Sequence, residues 1–310
     1  MAIKKKLGFV LKVIVAVIAI VLILSYAPDK EVSQLQEEYT YFDSDFIQVG
    51  DQQVHYRKTG TGPALLLLHG TGSSIQTWEQ WTRLLKKDFT IISVDLPAYG
   101  LTGPNPTADY SIKSYVSFVD EFVEAIGIDS FFLAGNSLGG SIAWNYTYQH
   151  PKKVQKLVLL NSSGYPSHKE ASMVFKLAKK EYLNKAMLVF TPKFLVKKSL
   201  KEVFYDKSLV TDEMVNRYYD LQLRKGNRQA FIDRANTPYD VDPKAIQLIR
   251  QPTLVLWGDK DAWISVKDAA KFERDLPNAK VIIYKNVGHV PMEEKAEQSA
   301  ADTKTFLLRN

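Results

Sequence analysis

Short apolar runs and amphipathic stretches alternate along most of this chain. Continuous apolar runs are typical of buried strands, whereas apolar residues that return every three or four positions are typical of helices. A turn at Gly50-Asp51 separates the first two runs, which predicts a hairpin. The predicted strands are residues 46–49, 54–58, 64–68, 90–95, 131–134, 154–160, 252–257 and 280–284.

Helical patterns fill most intervals between these strands. Ser111 is a predicted N-cap for a helix that ends at Gly127, and Pro151 stops a helix that begins at Leu138. Because strands alternate with helices, the sequence predicts an α/β fold, a mainly parallel sheet of eight strands with helices on both faces. The predicted helices are residues 75–85, 111–126, 138–150, 267–276 and 293–308.

The alternation stops between residues 165 and 243, where aromatic and aliphatic residues are interspersed with lysines. This pattern predicts a helical insertion with an apolar interior and solvated lysines. The insertion divides one α/β domain into a first part, residues 46–164, and a second part, residues 244–310.

Residues 1–27 form a separate apolar segment. Three lysines at residues 4–6 precede a run that is apolar except for Lys12. About 20 apolar residues are long enough to span a bilayer as a helix, so a transmembrane anchor is predicted. A cleaved signal peptide is the alternative, because Ser25 and Ala27 are small enough for a signal peptidase, but Pro28 directly after that site argues against cleavage.

The lysines at residues 4–6 also predict the topology. Positive flanks stay in the cytoplasm, so we expect the N-terminus there and the remaining chain outside the cytoplasmic membrane, in the periplasm or the extracellular space. The polar, acidic residues 28–45 are predicted to be a stalk between the membrane and the folded domain.

Composition excludes several classes of function. The 310 residues include no cysteine, which excludes disulfides, thiolate metal sites and a cysteine nucleophile. The net charge of +6 comes without a nucleic-acid recognition motif, and acidic residues are interleaved with the basic ones. We therefore expect no nucleic-acid partner.

A glycine-rich turn carries the strongest chemical signal. The sequence Gly-Asn-Ser-Leu-Gly at residues 135–139 places Ser137 between a predicted strand and a predicted helix. A serine hydroxyl is a weak nucleophile, so it must be exposed next to a base, which a sharp strand-to-helix turn permits. Ser137 is the candidate nucleophile, and a plain glycine-rich turn is the alternative.

His289 is the candidate general base. It follows the last predicted strand, and in a parallel sheet the loop there opens at the same edge as the loop that holds Ser137. His69 is interpreted as a brace for the loop after the third strand. The remaining histidines are interpreted as structural or solvated: His55, His150 and His168.

Two aspartates follow the strand predicted at residues 252–257. Asp261 has the spacing Gly-x-x-Asp and is the candidate acid that orients His289, while Asp259 is interpreted as a turn-forming residue. The strand at residues 154–160 is followed by Asn161 and two serines, so that position offers no acid.

Two backbone N–H groups are needed to stabilise the oxyanion that forms during nucleophilic attack. Leu138, directly after the candidate nucleophile, supplies one, and Thr71 in the loop after the third strand is the candidate for the other. Gly70-Thr71-Gly72 could also begin a dinucleotide-binding turn, but the third glycine of that pattern is missing.

Together these motifs resemble the α/β-hydrolase superfamily, in particular its cap-bearing serine hydrolases. The resemblance covers residues 46–308 and implies carbonyl chemistry without a metal or a cofactor. It also implies that residues 165–243 form a lid above Ser137, with apolar side chains over the substrate and lysines facing solvent or anionic lipid headgroups. The matching motifs are His69-Gly, Asp95-Leu-Pro-Ala-Tyr-Gly-Leu-Thr, Gly-Asn-Ser137-Leu-Gly-Gly, Trp-Gly-Asp-Lys-Asp261 and Gly-His289-Val-Pro-Met-Glu.

The first hypothesis is an esterase or lipase-like hydrolase that acts on a small-molecule ester or a lipid-like substrate. The alternative keeps the same residues but cleaves a carbon–carbon bond, as hydrolases of ring-cleavage products do. A third hypothesis is a non-catalytic, membrane-tethered binding protein. Epoxide hydrolysis and dehalogenation require a carboxylate at position 137, so Ser137 excludes them. The sequence carries no signal for an oligomeric state.

Overall fold

The computed structural model describes residues 2–166, 169 and 172–309, apart from the side chains of residues 2–5, 8 and 18. Eight strands form one sheet in the order β1-β2-β4-β3-β5-β6-β7-β8. The pairs β1–β2 and β2–β4 are antiparallel, and the other pairs are parallel, which confirms the predicted mainly parallel α/β sheet. The strands are β1 (Ser44–Val49), β2 (Gln52–Gly60), β3 (Ala64–Leu68), β4 (Thr90–Val94), β5 (Phe131–Asn136), β6 (Val154–Leu160), β7 (Thr253–Gly258) and β8 (Ala279–Tyr284).

The continuous apolar runs of the central strands are explained by burial on both faces of the sheet. In β3, Leu65 and Leu67 pack into one apolar cluster, while Leu66 and Leu68 pack into another. Side chains of consecutive strand residues point to opposite faces, so two separate clusters mean that helices cover both sides.

The N-terminal segment contains α1 (Ala2–Ser25) and α2 (Val32–Tyr39). The helices of the α/β core are α3 (Glu79–Leu85), α4 (Ile112–Ala125), α5 (Leu138–Gln149), α11 (Lys267–Asp275), α12 (Pro291–Glu294) and α13 (Ala296–Leu308). The predicted cap of α4 is present, since the Ser111 hydroxyl accepts a hydrogen bond of 3.1 Å from the Ser114 amide. Two helices differ from prediction. Residues 75–78 form a 3-10 turn before α3, and non-helical backbone at Lys295 divides the last predicted helix.

Between β6 and β7, the described residues form five α-helices: α6 (Met173–Ala178), α7 (Glu181–Met187), α8 (Lys193–Val203), α9 (Asp212–Gln222) and α10 (Asn227–Asn236). They occupy the interval in which the sequence predicts a helical insertion. His168, which the sequence analysis interprets as structural or solvated, lies outside the described residues.

The N-terminal apolar segment forms one helix, α1 (Ala2–Ser25). Its apolar side chains remain exposed, and Leu24 is 80% accessible. Over the stretch that the structure describes, none of the helices combines the length and the apolar character needed to cross a bilayer. The helix itself is present, while the predicted membrane-spanning topology is not supported.

The predicted stalk, residues 28–45, is folded against the insertion. It contains α2 (Val32–Tyr39), and the Lys30 ammonium pairs with the Asp220 carboxylate of α9 at 2.8 Å. The Tyr39 hydroxyl donates a second hydrogen bond of 2.8 Å to the same carboxylate. Charged and polar residues of the segment 28–45 therefore contact the insertion, whereas a free linker would make no such contacts.

Candidate active site

Ser137 occupies a strained turn between β5 and α5. Its backbone has φ 55° and ψ −114°, a combination that L-residues rarely adopt. Two backbone hydrogen bonds stabilise the turn. The Ser137 amide donates to the Leu160 carbonyl at 3.1 Å, and the Ser137 carbonyl accepts from the Ser163 amide at 3.1 Å. Backbone strain at a sharp strand-to-helix turn is characteristic of a nucleophile elbow.

Two glycines allow the chain to make this turn. A Cβ atom at Gly135 would lie 2.2 Å from the Gly139 carbonyl oxygen, and one at Gly139 would lie 2.1 Å from the Leu68 carbonyl oxygen. Both distances are far below van der Waals contact, so any side chain here would push β5, α5 and β3 apart.

His289 and Asp261 form a buried pair. The His289 Nδ1 lies 2.7 Å from Asp261 Oδ2, and both residues are at most 5% exposed. The opposite ring nitrogen, Nε2, is buried and has no hydrogen-bond partner within the described residues. A carboxylate at Nδ1 fixes the tautomer in which Nε2 carries the lone pair, so this atom can accept a proton.

Asp261 is stabilised as a carboxylate by its surroundings. Its Oδ1 accepts hydrogen bonds from the Trp263 amide at 2.7 Å and the Ile264 amide at 3.0 Å. Burial alone would raise the pKa of Asp261, but the electrostatic interaction and hydrogen bond with His289, together with hydrogen bonds from Asn161 and the Ile264 amide, hold this pKa below its usual value.

Two asparagines that the sequence analysis did not assign to the site connect its loops. The Asn136 side chain donates to the Leu160 carbonyl at 3.1 Å and to the His289 carbonyl at 3.0 Å. The Asn161 amide donates to Asp261 Oδ2 at 2.7 Å, the same oxygen that meets His289. Asn161 directly follows a buried strand at its carboxyl end, and a polar residue at that position is the signal that could have indicated its role.

Asp259 has a different environment from Asp261. Its Oδ1 accepts a hydrogen bond of 2.7 Å from the Asn286 amide and so closes the turn after β8. Its Oδ2 lies 3.7 Å from the Lys285 ammonium near the surface. This geometry agrees with the interpretation of Asp259 as a turn-forming residue.

The loop after β3 passes directly beside Ser137. A Cβ at Gly70 would lie 3.0 Å from the Asn136 amide oxygen and 3.1 Å from the Ser137 Cβ. His69 is buried under this loop, where Nδ1 lies 2.8 Å from the Gly70 carbonyl and Nε2 accepts from the Leu96 amide at 3.0 Å. Burial lowers the pKa of His69, and both nitrogens are already hydrogen-bonded, as expected for a brace.

The other described histidines lie in structural contacts. His55 is buried, with Nδ1 2.7 Å from Asp95 Oδ2, and the Asp95 carboxylate also accepts the Leu101 amide at 2.8 Å. His150 stacks on Tyr146 with ring centroids 4.5 Å apart.

A cavity of about 170 Å³ brings the candidate residues together. Ser137, His289 and Thr71 all line it, and the opposite wall comes from the helices of the insertion. That wall is predominantly apolar, and its members include Met173, Phe175, Leu177, Met187, Phe190, Leu195 and Phe231. Leu138 begins α5 directly beside this cavity, and the first N–H groups of a helix have no partner within the helix.

Residues 63–296 match a family described as having the alpha/beta hydrolase fold. The chain belongs to the α/β-hydrolase family. The resemblance found in the sequence motifs is thereby confirmed, and it accounts for the sheet order and the position of the turn at Ser137.

Two of its relatives in the α/β-hydrolase family have different reactions in their names. The chain is 30% identical to Lipase 1 of Psychrobacter immobilis over 271 residues, which cover 83% of this chain and 81% of that protein. It is 24% identical to 2-hydroxy-6-oxo-6-phenylhexa-2,4-dienoate hydrolase of Burkholderia cepacia, with coverage of 89% and 99%. The protein is therefore a hydrolase of the α/β type.

One solved structure matches nearly the whole chain. The crystal structure of a membrane phospholipase A has a TM-score of 0.74 and 27% identity, and the match covers 98% of this chain and 97% of that one. Such coverage includes the N-terminal segment, which lies outside residues 63–296.

Proposed function

We propose that this α/β hydrolase cleaves carboxylic esters through an acyl-enzyme on Ser137. The observation that carries the proposal is the pairing of His289 Nδ1 with Asp261 at 2.7 Å, which leaves the unpartnered Nε2 available at a residue that lines the same cavity as Ser137. A positioned base and an elbow serine in one apolar cavity are what nucleophilic acyl transfer requires.

In this mechanism Ser137 attacks the ester carbonyl while His289 Nε2 removes the hydroxyl proton. The Asp261 carboxylate stabilises the resulting imidazolium, and the amides of Thr71 and Leu138 donate to the oxyanion. The first tetrahedral intermediate then collapses, the C–O bond of the ester breaks, and the imidazolium protonates the departing oxygen, so that the alcohol leaves and Ser137 carries the acyl group. Water attacks the acyl-enzyme with His289 again as the base, and the collapse of the second intermediate releases the carboxylic acid and regenerates Ser137.

The cavity lining favours an ester over a ring-cleavage product. The substrate named for the Burkholderia relative is a dienoate, which carries a carboxylate, and a buried carboxylate needs a cationic partner. Among the described residues that line the cavity, Lys198 is the one lysine or arginine, and it is exposed. An apolar acyl chain fits this lining without such a partner.

The helices between β6 and β7 are proposed to act as a lid, corresponding to residues 165–243 between the two parts of the core. Apolar side chains from α6, α7 and α8 line the cavity opposite Ser137. A roof of this kind supplies the apolar surface that an acyl chain binds and limits the access of bulk solvent to the cavity.

We also propose that the protein is held at the cytoplasmic membrane by α1, with its catalytic part in the periplasm or outside the cell. The exposed apolar side chains of α1 support the proposal, since such a surface is unfavourable in water. The match of 98% of the chain to a membrane phospholipase A supports it further.

The reaction type is tested by comparing the turnover of two substrate classes. One is a series of p-nitrophenyl esters of increasing acyl length, and the other is a 2-hydroxy-6-oxo-dienoate. We expect turnover of the esters, with a preference for acyl chains long enough to reach the apolar wall, and turnover of the dienoate at least about 100-fold slower. Faster turnover of the dienoate would overturn the ester assignment in favour of carbon–carbon bond cleavage.

A further inference from the structure

The helices α6, α7 and α8 present two different faces. Toward the cavity they place apolar side chains such as Phe175 and Met187. Away from it, Tyr182 is 80% exposed and Phe194 is 62% exposed. Aromatic rings are enriched where proteins meet the membrane interface. We call residues 173–203 the cap platform.

The cap platform also concentrates positive charge. It contains eight lysines and two glutamates, a formal charge of +6 that equals the net charge of the whole chain. Exposed lysines are ordinarily solvated, but here lysines flank the exposed Tyr182 and Phe194 along the sequence, which is the composition of an anionic lipid-binding surface. The exposed lysines of the platform are Lys176, Lys179, Lys180, Lys185, Lys193, Lys198 and Lys201.

The end of α1 is fixed against the same platform. The Ala27 amide donates to the Val189 carbonyl at 3.0 Å, and the Thr191 amide donates to the Ser25 carbonyl at 2.8 Å. These bonds place the exposed end of α1, where Leu24 is 80% accessible, directly beside the platform. A membrane bound by α1 would therefore lie next to the platform's lysines and aromatic residues.

We propose that the cap platform docks on an anionic lipid bilayer, so that acyl chains enter the cavity over Ser137 from the membrane. The lysines contact anionic headgroups, and Tyr182 and Phe194 enter the interface. The helices of the platform are then a thin layer between lipid on one side and the candidate nucleophile on the other. This inference rests on the proposed function for the fate of the acyl chain, but the docking itself does not require catalysis.

The absence of cysteine from the sequence permits a single-site test on the full chain. An environment-sensitive fluorophore is attached to Tyr182→Cys, and in a matched control to Lys280→Cys, at the amino end of β8 and so at the edge of the sheet away from Ser137. Each labelled protein is reconstituted into phosphatidylcholine vesicles with or without phosphatidylglycerol. Lipids that carry a quencher in the acyl region then report contact with the bilayer.

We expect quenching at position 182 in vesicles that contain phosphatidylglycerol, at least about threefold stronger than in neutral vesicles, because each lysine near an anionic surface strengthens binding about fivefold. At position 280 we expect little quenching in either. Equal quenching at the two positions, or quenching at 182 that does not depend on phosphatidylglycerol, would overturn the proposal.

A charge variant tests the role of the lysines in the same assay. Lys179, Lys180, Lys185 and Lys201 are replaced together by glutamine, and the matched control replaces Lys58, Lys86, Lys87 and Lys152, which are also exposed. Only the platform variant should lose the dependence on phosphatidylglycerol. The same loss in both variants would mean that net charge acts without a defined surface, which contradicts docking by the platform.

The same measurement on a Ser137→Ala background separates this proposal from the proposed function. Docking of the platform predicts unchanged quenching at position 182, because the readout needs no turnover. Failure of ester hydrolysis with intact quenching would overturn the ester assignment alone, whereas ester hydrolysis without quenching would overturn the docking alone.

Discussion

At the scale of single residues, the His289–Asp261 pair is held by more groups than the sequence motifs name. Asp261 receives two backbone amides and the side chain of Asn161, in addition to the imidazole. Each of these hydrogen bonds stabilises the carboxylate form. The motif Gly-x-x-Asp identifies the acid, but it carries no information about the groups that fix its orientation.

Replacement of Asp261 separates it from its neighbour in sequence. Asp261→Asn should lower kcat about 10⁴-fold while the fold is retained, because an amide favours the wrong tautomer of His289. Asp259→Asn should lower kcat much less, since Asp259 holds only the turn at Asn286. Steady-state kinetics with circular dichroism checks both, and the reverse order of effects would show that the acid is assigned to the wrong aspartate.

Asn161 is expected to position Asp261. Its φ is 42°, which glycine also adopts, so Asn161→Gly removes the amide without adding strain to the backbone. We expect kcat to fall about tenfold, because one hydrogen bond to a charged group is lost. Asn161→Asp places a second carboxylate beside Asp261, which raises the pKa of the pair and moves the acid limb of the pH–rate profile to higher pH. An unchanged profile for Asn161→Asp would contradict this role.

The sequence identifies residues whose chemistry requires a specific local pattern. Ser137 needs glycines on both sides of a sharp turn, so the five-residue pattern Gly-Asn-Ser-Leu-Gly is enough to identify it. The contacts of Asn136 and Asn161 join loops that are far apart in sequence, and no local pattern encodes such a contact. An asparagine after a strand is consistent with a turn, a cap or a hydrogen bond to a distant loop, and only the fold distinguishes these.

At the scale of elements, the strands were predictable because their apolar runs are buried on both faces. The runs at β3 and β6 have the predicted bounds, residues 64–68 and 154–160. The last helix was predicted as one element, but it is divided at Lys295, where the backbone has φ −134°. The apolar periodicity continues across this break, because α12 and α13 both pack on the core, so periodicity alone does not show it.

The sequence predicts residues 28–45 as a polar stalk between α1 and the core. It does not predict the contacts that this segment makes with the insertion. Arg228 in α10 donates to the Ala27 carbonyl at 2.8 Å and to the Asp29 carboxylate at 2.6 Å, and it is 5% exposed. This buried arginine and the pair of Lys30 with Asp220 attach the segment to the insertion.

Replacement of Arg228 tests this attachment. Arg228→Met should destabilise the protein by about 2 kcal/mol and increase hydrogen exchange in residues 26–31, because the Ala27 carbonyl and Asp29 lose their donor. Arg250→Met is the matched control, since Arg250 is exposed. Equal protection of residues 26–31 in the two variants would show that Arg228 does not hold the segment.

At the scale of the whole molecule, the fold and the family predicted from the sequence are those that the structure and the family match show. The cellular location of the protein depends on α1. The sequence predicts a helix that spans the membrane, and the structure shows a helix with exposed apolar side chains. An apolar surface of this kind is unfavourable in water. Insertion of α1 into a bilayer, or removal of α1 by a signal peptidase, would each end that exposure.

Fractionation and protease access decide the topology. We expect the full-length protein to stay with membranes after carbonate extraction and to keep its N-terminal residues, and protease added to spheroplasts should digest the catalytic part. A soluble protein that begins at Pro28 would identify residues 1–27 as a signal peptide. Protection of the catalytic part until the membrane is opened would reverse the orientation and place that part in the cytoplasm.

The central claim is that Ser137 is an activated nucleophile, and a fluorophosphonate probe tests it most directly. An activated serine attacks phosphorus as it attacks a carbonyl, so the account predicts one covalent adduct, mapped by mass spectrometry to the peptide that contains Ser137. Labelling should fall strongly in His289→Gln, which lacks the general base. An adduct on a different serine, or no adduct on the folded protein, would contradict the account.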